Sequence, residues 1–390
     1  MKKLKILMIA CCPFPGNRGT PSRILKMSEA LVEKGHSVDI LTYFNKDFEF
    51  KKKHKNLRIY RIKRVLFYED NSPGPKIMKL IADIKLINLG KKLVKINSYD
   101  IIHGHHIEGA YIANFINKKS KTIYDAHITL NKELNSYKLI YKLPIMKQFL
   151  NYLEQKSFKS DGIVFLDKNL IEKKRENNEL NNKPHIWIPT GTNINELKNI
   201  AKKFKKNPFK KNKINLTYTG SIAKYQNVED IIFAIKELKK ENLKVNIITG
   251  TKYEDSKELL NLIQKLKLKD IITIITNQNF EQQIKFLKYS DILISPRKEL
   301  DGIPQKITNY MVFKKKIICA SGSAKIIDNN SAYIYQSGEI EDLKNKIILA
   351  INENSTEKIT NCNKIIKEFD WNNLIKKQIK FYYSLIKIKK

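Results

Sequence analysis

Short apolar runs with the composition of buried strands alternate along this chain with longer stretches whose apolar residues recur at helical spacing. Leu4–Ala10, Ser37–Thr42, Asp100–His103, Lys121–Asp125, Asp161–Leu166 and Ile186–Pro189 are such runs in the first half. Ile214–Thr219, Lys244–Thr249, Ile271–Ile275, Asp291–Pro296, Ile317–Ala320 and Ala332–Tyr335 repeat the pattern in the second. The spacing predicts helices over Pro21–Lys34, Lys76–Ile96, Leu130–Lys156 with a break at Pro144, from Val228, and over Asn279–Leu287, Gln305–Phe313, Asp342–Ile351 and Trp371–Ile386. Strands that alternate with helices pair in parallel, because each crossover returns the chain to the same sheet edge. The expected class is therefore α/β. With 390 residues the chain is long for one core and suited to two α/β halves.

Composition narrows the function classes. Apolar residues make up 42% of the chain, enough for packed cores and too much for wholesale disorder. Lys and Arg number 74 against 39 Asp and Glu, a formal charge of +35. Such a charge suits anionic substrates, an anionic membrane surface or nucleic acid. A chain crowded with Lys, Asn and Ile, as a genome poor in G and C encodes, arrives at the same charge without any partner. The lysines are scattered along helices and no nucleic-acid-binding signature occurs, so nucleic acid is not an expected partner. Cys11, Cys12, Cys319 and Cys362 show no CxxC or Cys/His metal spacing and are expected to be buried free thiols of a reducing compartment. The start, MKKLKILMIACC, imitates a lipoprotein signal, but Lys5 interrupts the apolar run and an amphipathic helix follows, so a first buried strand is expected. No stretch approaches the roughly 18 apolar residues of a spanning helix. A cytoplasmic protein, soluble or peripheral on the membrane, is the expectation.

The stretch Asp291–Ala320, DILISPRKELDGIPQKITNYMVFKKKIICA, holds the densest chemistry. Arg297 and Lys306 flank a loop broken by Gly302 and Pro304, with Glu299 and Asp301 between them. A strand end followed by a helix start is where open parallel sheets bind ligands, and helix N–H groups there suit phosphate. An ordinary strand–loop–helix with solvated charges has the same spacing. In the first half the Cys12–Thr20 loop contains Gly16 and Gly19 but no GxGxxG, so the dinucleotide fingerprint is absent. His103, His105 and His106 cluster without a cysteine or carboxylate pair in their own segment, and no metal site is expected. His127 lies just past a strand end, as a site residue or a hydrogen-bonded loop histidine would. Along Lys76–Ile96, apolar residues and lysines interleave, which suits a surface helix on the sheet or a basic face for anionic lipid.

The segment SPR, seven residues ending in proline, then xKIxxYM and an apolar strand, resembles the donor-sugar segment of family 4 glycosyltransferases. Other features keep that family's order: PxPxxRGT…ALxxxGHxVxILT near the amino terminus, and TGTN where the family has a PNGVD turn. The chain departs from the pattern at Asp301 and Asn309, which replace two glutamates, and at Ser221 and Gln226, which replace an Arg and a Lys that hold the diphosphate. Lys224 is the nearest cation able to substitute. The resemblance implies the GT-B fold: two Rossmann-like parallel-sheet domains facing across a cleft. It implies an acceptor-side domain over 1–192, a nucleotide-sugar-binding domain over 193–370, and a last helix over 371–390 that crosses back. The lysine-rich 201–213 stretch then leads into the second domain. It implies a retaining, metal-independent hexosyltransferase without a cofactor, moving sugar from a nucleotide-diphosphate donor to a lipid-linked or saccharide hydroxyl in surface polysaccharide or glycolipid synthesis. By the same resemblance, His127 contacts the sugar, Arg297 and Lys306 the diphosphate, Asp301 the sugar hydroxyls and Asn309 the ribose. Gly16, Gly19, Gly220, Gly302 and Lys224 complete the donor set. The altered motif residues leave two further readings: a GT-B binding protein that has lost turnover, and a nucleotide-sugar epimerase of the same architecture.

Overall fold

A computed structural model describes residues 2–16, 19–45, 54–65, 77–117, 119–127, 144–180, 182–209, 212–238, 242–299 and 303–387. The chain divides into two compact units, Met1–Thr190 with Trp371–Lys390, and Gly191–Asp370.

The first unit is built on β1 (Lys5–Pro13), α1 (Gly19–Glu33), β2 (Ser37–Tyr43), β3 (Leu57–Arg61), α2 (Ile77–Ile96), β4 (Ile101–His105), α3 (His106–Ile116), β5 (Lys121–Ala126), α4 (Pro144–Ser157), β6 (Gly162–Phe165), α5 (Lys168–Glu176) and β7 (His185–Trp187). Its parallel sheet has the order β3-β2-β1-β4-β5-β6-β7. β1 is a strand, as the interrupted apolar run predicts. Alternation along β1 sends Ile6, Met8 and Ala10 into one core and Leu7 and Ile9 into another, so both faces of the sheet are covered. The first core is closed by α13 (Trp371–Lys387), whose Trp371, Leu374, Ile375, Tyr382 and Leu385 are buried with β1 and α1. Gly35, at φ +87°, ends α1 in the left-handed conformation expected of a helix-terminating glycine.

The second unit runs α6 (Ile194–Lys203), β8 (Ile214–Thr219), α7 (Val228–Leu238), β9 (Leu243–Ile248), α8 (Lys257–Lys265), β10 (Ile272–Ile275), α9 (Phe280–Tyr289), β11 (Ile292–Ser295), α10 (Gln305–Met311), β12 (Lys316–Ala320), β13 (Tyr333–Tyr335), α11 (Ile340–Asn352) and α12 (Thr356–Glu368). Its parallel sheet has the order β10-β9-β8-β11-β12-β13. Leu216 and Tyr218, Val245 and Ile247, and Ile292 and Ile294 point to one face and bury Ile231, Ile235, Leu343 and Ile347 of α7 and α11.

Several expectations change. Ala201–Lys203 is the last turn of α6 and not part of a linker; Asn193 caps that helix by accepting from the Glu196 amide, and Leu197, Ile200 and Ala201 supply its buried stripe. α5 (KNLIEKKRE) escapes periodicity because only Ile171 and the stem of Lys174 are buried. The Leu130–Lys156 helix is seen from Pro144 onward; its earlier part lies outside the described residues. All four cysteines are free, with Cys319 and Cys362 buried as expected and Cys11 and Cys12 only half-buried.

Candidate active site

In a doubly wound sheet, ligands bind beyond the carboxyl ends of the strands at the point where strand order reverses. In the second unit that point lies between β8 and β11. Gly220 follows β8 and Arg297 follows β11 at one remove, so the topology brings the two predicted positions together. Lys306, in the first turn of α10, reaches the same place. Its Nζ stands 3.1 Å from Gln226 Oε1 and 3.8 Å from the centre of the Tyr218 ring. A Cβ on Gly220 would lie 3.2 and 3.3 Å from Lys306 Cε and Nζ, and the residue has φ +130°. Only glycine holds that backbone and leaves the ammonium its room.

Burial, followed by the charge of Arg297, holds the Lys306 ammonium well below the ordinary lysine pKa. Among the described residues no carboxylate ion-pairs with it. A half-buried cation held by a glutamine oxygen and an aromatic face is a site with unspent affinity for an anion. Arg297 is held by contacts with its neighbours. Its Nε donates to Glu299 O at 2.9 Å, its guanidinium lies 5.0 Å from the Tyr225 ring centre, and its own carbonyl accepts from Ser323 Oγ at 2.6 Å. Asn227 Oδ1 accepts from the next amide, Lys298 N, at 3.1 Å.

The other predicted positions in this unit fall differently. Lys224 is 83% exposed and pairs with Glu258 at 3.7 Å, outside the Lys306 cluster. Asn309 Oδ1 accepts from Thr192 Oγ1 at 2.9 Å and Gln305 Nε2 at 3.2 Å, contacts that join the first residues of the unit to α10. Asp301 and Gly302 lie outside the described residues.

The first unit reverses strand order between β1 and β4, and a second polar cluster sits there. His105 pairs in register with Asp125 across β4 and β5, so alternation puts His103, His105, Asp125 and His127 on one face. Asp125 is fully buried, and its Oδ2 lies 2.8 Å from His105 Nδ1, 2.9 Å from His127 Nε2 and 3.7 Å from His103 Nε2. Arg23 of α1 grips both oxygens at 3.2 and 3.3 Å and gives two further protons to the carbonyls of Ile188 and Pro189, each at 2.9 Å. Burial opposes ionisation of Asp125, but Arg23, His127 and the other imidazoles outweigh it and hold its pKa well below the carboxylate range. Burial lowers the pKa of His105 to about 4 and, with the charge of His106, that of His127 to about 3. Both rings are neutral at pH 7.

His103, His105 and Asp125 each offer a ligand atom, all within 4.8 Å of one another, so the carboxylate that the His103–His106 segment lacks comes from the neighbouring strand. The guanidinium of Arg23 already occupies that carboxylate, and a divalent ion would leave two uncompensated buried charges beside it. A Cβ on Gly16 would lie 3.5 Å from the Pro21 side chain, whereas Gly19 opens α1 with no atom within 4 Å of where its Cβ would stand. Arg23 and Asp125 escaped the sequence reading; the signal for Asp125 was the alternation in YDAH, which puts it on the face of His127.

Residues 199–369 match the family model for glycosyl transferases group 1. The match covers most of the second unit. An uncharacterized glycosyltransferase of Methanocaldococcus jannaschii is 25% identical over 99% of this chain and all of its own length. Two solved structures share the two-unit GT-B fold. Sucrose-phosphate synthase from Thermosynechococcus elongatus has a TM-score of 0.78 at 12% identity, with 99% of this chain and 100% of that one covered. Anabaena HepE in complex with UDP-glucose has a TM-score of 0.70 at 14% identity, with 98% and 100% covered. The matched segment holds both Lys306 and Gly220, and the β8–β11 reversal lies within it.

Proposed function

We propose that this glycosyltransferase moves a hexose from a nucleoside-diphosphate sugar to a hydroxyl acceptor, with retention of configuration and without a metal. The observation that carries the reading is the half-buried Lys306 ammonium, without an anionic partner among the described residues, beside Gly220 and Arg297 at the switch point of the second unit. A diphosphate supplies the missing charge. As the sugar departs, negative charge grows on the diphosphate, and fixed cations in a dry site stabilise that charge more than they stabilise the intact donor. Lys306 and Arg297 are the proposed diphosphate contacts and His127 the proposed contact to the sugar. HepE binds UDP-glucose on the same fold, which supports a nucleotide-sugar donor.

The acceptor is proposed to be lipid-linked or a saccharide of surface polysaccharide or glycolipid, met at the inner face of the cell membrane. On α2, Leu80, Ile81 and Ile84 are 55%, 40% and 58% exposed, and Lys85, Lys91, Lys92 and Lys95 are exposed beside them. That pairing of apolar anchors with cations suits an anionic bilayer surface. No helix among the described residues is long and apolar enough to cross a membrane.

The test is a thermal-shift panel of nucleoside diphosphates and nucleotide sugars, followed by product analysis with donor alone and with acceptor. Bound ligand raises the unfolding temperature. A shift with one nucleotide and transfer only when acceptor is present bears the reading out. A new sugar made from donor alone indicates an epimerase, and binding without turnover indicates a scaffold that has lost chemistry.

A further inference from the structure

The polar cluster of the first unit has more order than holding one histidine requires. Three imidazoles and a guanidinium converge on the Asp125 carboxylate, and the proton positions follow from their partners. Gln378 Nε2 donates to the Tyr382 hydroxyl, which lies 2.7 Å from His103 Nδ1. A proton donated by Tyr382 to Nδ1 leaves His103's own proton on Nε2, which faces Asp125 at 3.7 Å, beyond hydrogen-bond distance. His105 presents Nδ1–H and His127 presents Nε2–H to the same ionised oxygen. His105 Nε2 is thereby left as a bare nitrogen, buried and without a partner. His127 is left with a bare Nδ1. Its ring is clamped from the side by His106, whose centroid lies 4.1 Å away at 35°. His106 in turn has φ +59°, costly for a side-chain-bearing residue, and its Nε2 is 3.1 Å from Thr20 Oγ1.

We propose that Asp125 is a positioning residue: by taking the Nε2 proton of His127 it fixes that imidazole as a neutral ring whose Nδ1 is a permanent hydrogen-bond acceptor for a sugar hydroxyl. The inference rests on the reading of His127 as a sugar contact and says what kind of group it takes. A bare nitrogen accepts from O–H and repels phosphate oxygen, so His127 serves the hydroxyl-bearing part of the substrate and the diphosphate falls to other groups. The groups facing the ring are Asp125 and Arg23, the neighbouring His105 and His106, and, one ring further, His103 with Tyr382. Arg23 keeps Asp125 ionised, and the ionised carboxylate keeps the tautomer. His105 and the Arg23 Nε share Oδ2 with His127, and Arg23 Nη2 holds Oδ1.

The experiment is nitrogen-15 NMR of full-length protein labelled at its seven histidines, with the His127 signal assigned by its loss in His127→Gln. Between pH 6 and 8 the expected spectrum has His127 neutral and protonated at Nε2. A neutral ring protonated at Nδ1, or an imidazolium at pH 7, overturns the proposal. Asp125→Asn supplies the second reading: its amide can turn an N–H toward His127 and release the tautomer. Turnover should then fall roughly 10- to 100-fold at nearly unchanged donor KM, with the His127 spectrum showing a mixture. Unchanged turnover with a changed tautomer overturns the functional half. If Asp125→Asn does not fold, the wild-type spectrum alone decides. The spectrum needs no substrate, so a protein with the expected tautomer and no transferase activity counts against the transferase reading and leaves the positioning of His127 standing.

Discussion

Lys306 shows how one side chain trades stability for binding. Its half-buried ammonium meets a glutamine oxygen and an aromatic face, without a carboxylate among the described residues. Lys306→Met keeps the volume and removes the charge, so the unfolding temperature should hold or rise, as with other uncompensated charges at sites. Stabilisation by nucleotide should disappear, and turnover should fall by about 100-fold or more. A variant that keeps its nucleotide-induced shift would remove Lys306 from the donor site. The histidines of the first unit give a pH prediction with a definite sign. Their folded pKa values, about 4 for His105 and about 3 for His127, lie below the unfolded value near 6.5. The unfolded chain therefore takes up protons first as pH falls. Stability from these rings is complete above pH 6.5 and is lost progressively from pH 6.5 down through about 4 and then 3. Urea unfolding from pH 8 to pH 4 should show this decline, and His105→Gln should flatten it.

At the scale of the element, the junction of β4 and α3 decides how closely a helix can approach the sheet beneath it. A Cβ on Gly104 would stand 2.3 Å from the Gly109 carbonyl carbon and oxygen, backbone atoms that cannot swing aside. That approach places His105 and His106 against Asp125 and His127. Gly104→Ala should therefore destabilise the unit by about 3 kcal/mol or more, through overpacking against backbone, with loss of unfolding temperature as the readout. The exposed side of α2 should behave in the opposite way. Replacing Leu80, Ile81 and Ile84 by serine touches no core and should leave the unfolding temperature nearly unchanged. The same protein should sediment less with anionic vesicles at low salt. Equal sedimentation of variant and wild type would remove α2 from the membrane proposal.

At the scale of the whole chain, the polypeptide leaves the first unit after Thr190, builds the second from Gly191 to Asp370, and ends in the first with α13. The helix is part of that unit's core: Trp371, Leu374, Ile375, Phe381 and Tyr382 are all buried, and Tyr382 and Gln378 complete the polar cluster around His103. Removing residues 371–390 should expose the β1 and α1 face and yield an aggregating protein, checked by its recovery in the soluble fraction. A soluble, nucleotide-binding truncated chain would mean that α13 adds little to the first core. The two units thus depend on the chain differently. The first needs both ends of the sequence, and the second is one continuous segment.

The α/β class and most strands of both sheets were legible in the sequence because burial on two faces makes a strand continuously apolar, and that pattern is local. Where a helix buries little, as α5 does with its run of lysines, the pattern fades and the element was missed. Lys306, Arg297 and Gly220 stood out as residues of the right type at strand and helix ends. That Lys306 lies against Gly220, with Gln226 and Tyr218 as its partners, depends on β8 and β11 being neighbours in the sheet, which no local spacing encodes. The same holds more strongly for the first unit. His127 could be picked out by its place after a strand, but the proton it carries is set by Asp125, Arg23, His103, Tyr382 and Gln378. Those residues come from α1, β4, β5 and α13, and only parallel register and the return of the last helix bring them to one carboxylate. Local periodicity determines which face a side chain takes; which partners share that face is decided by the crossovers.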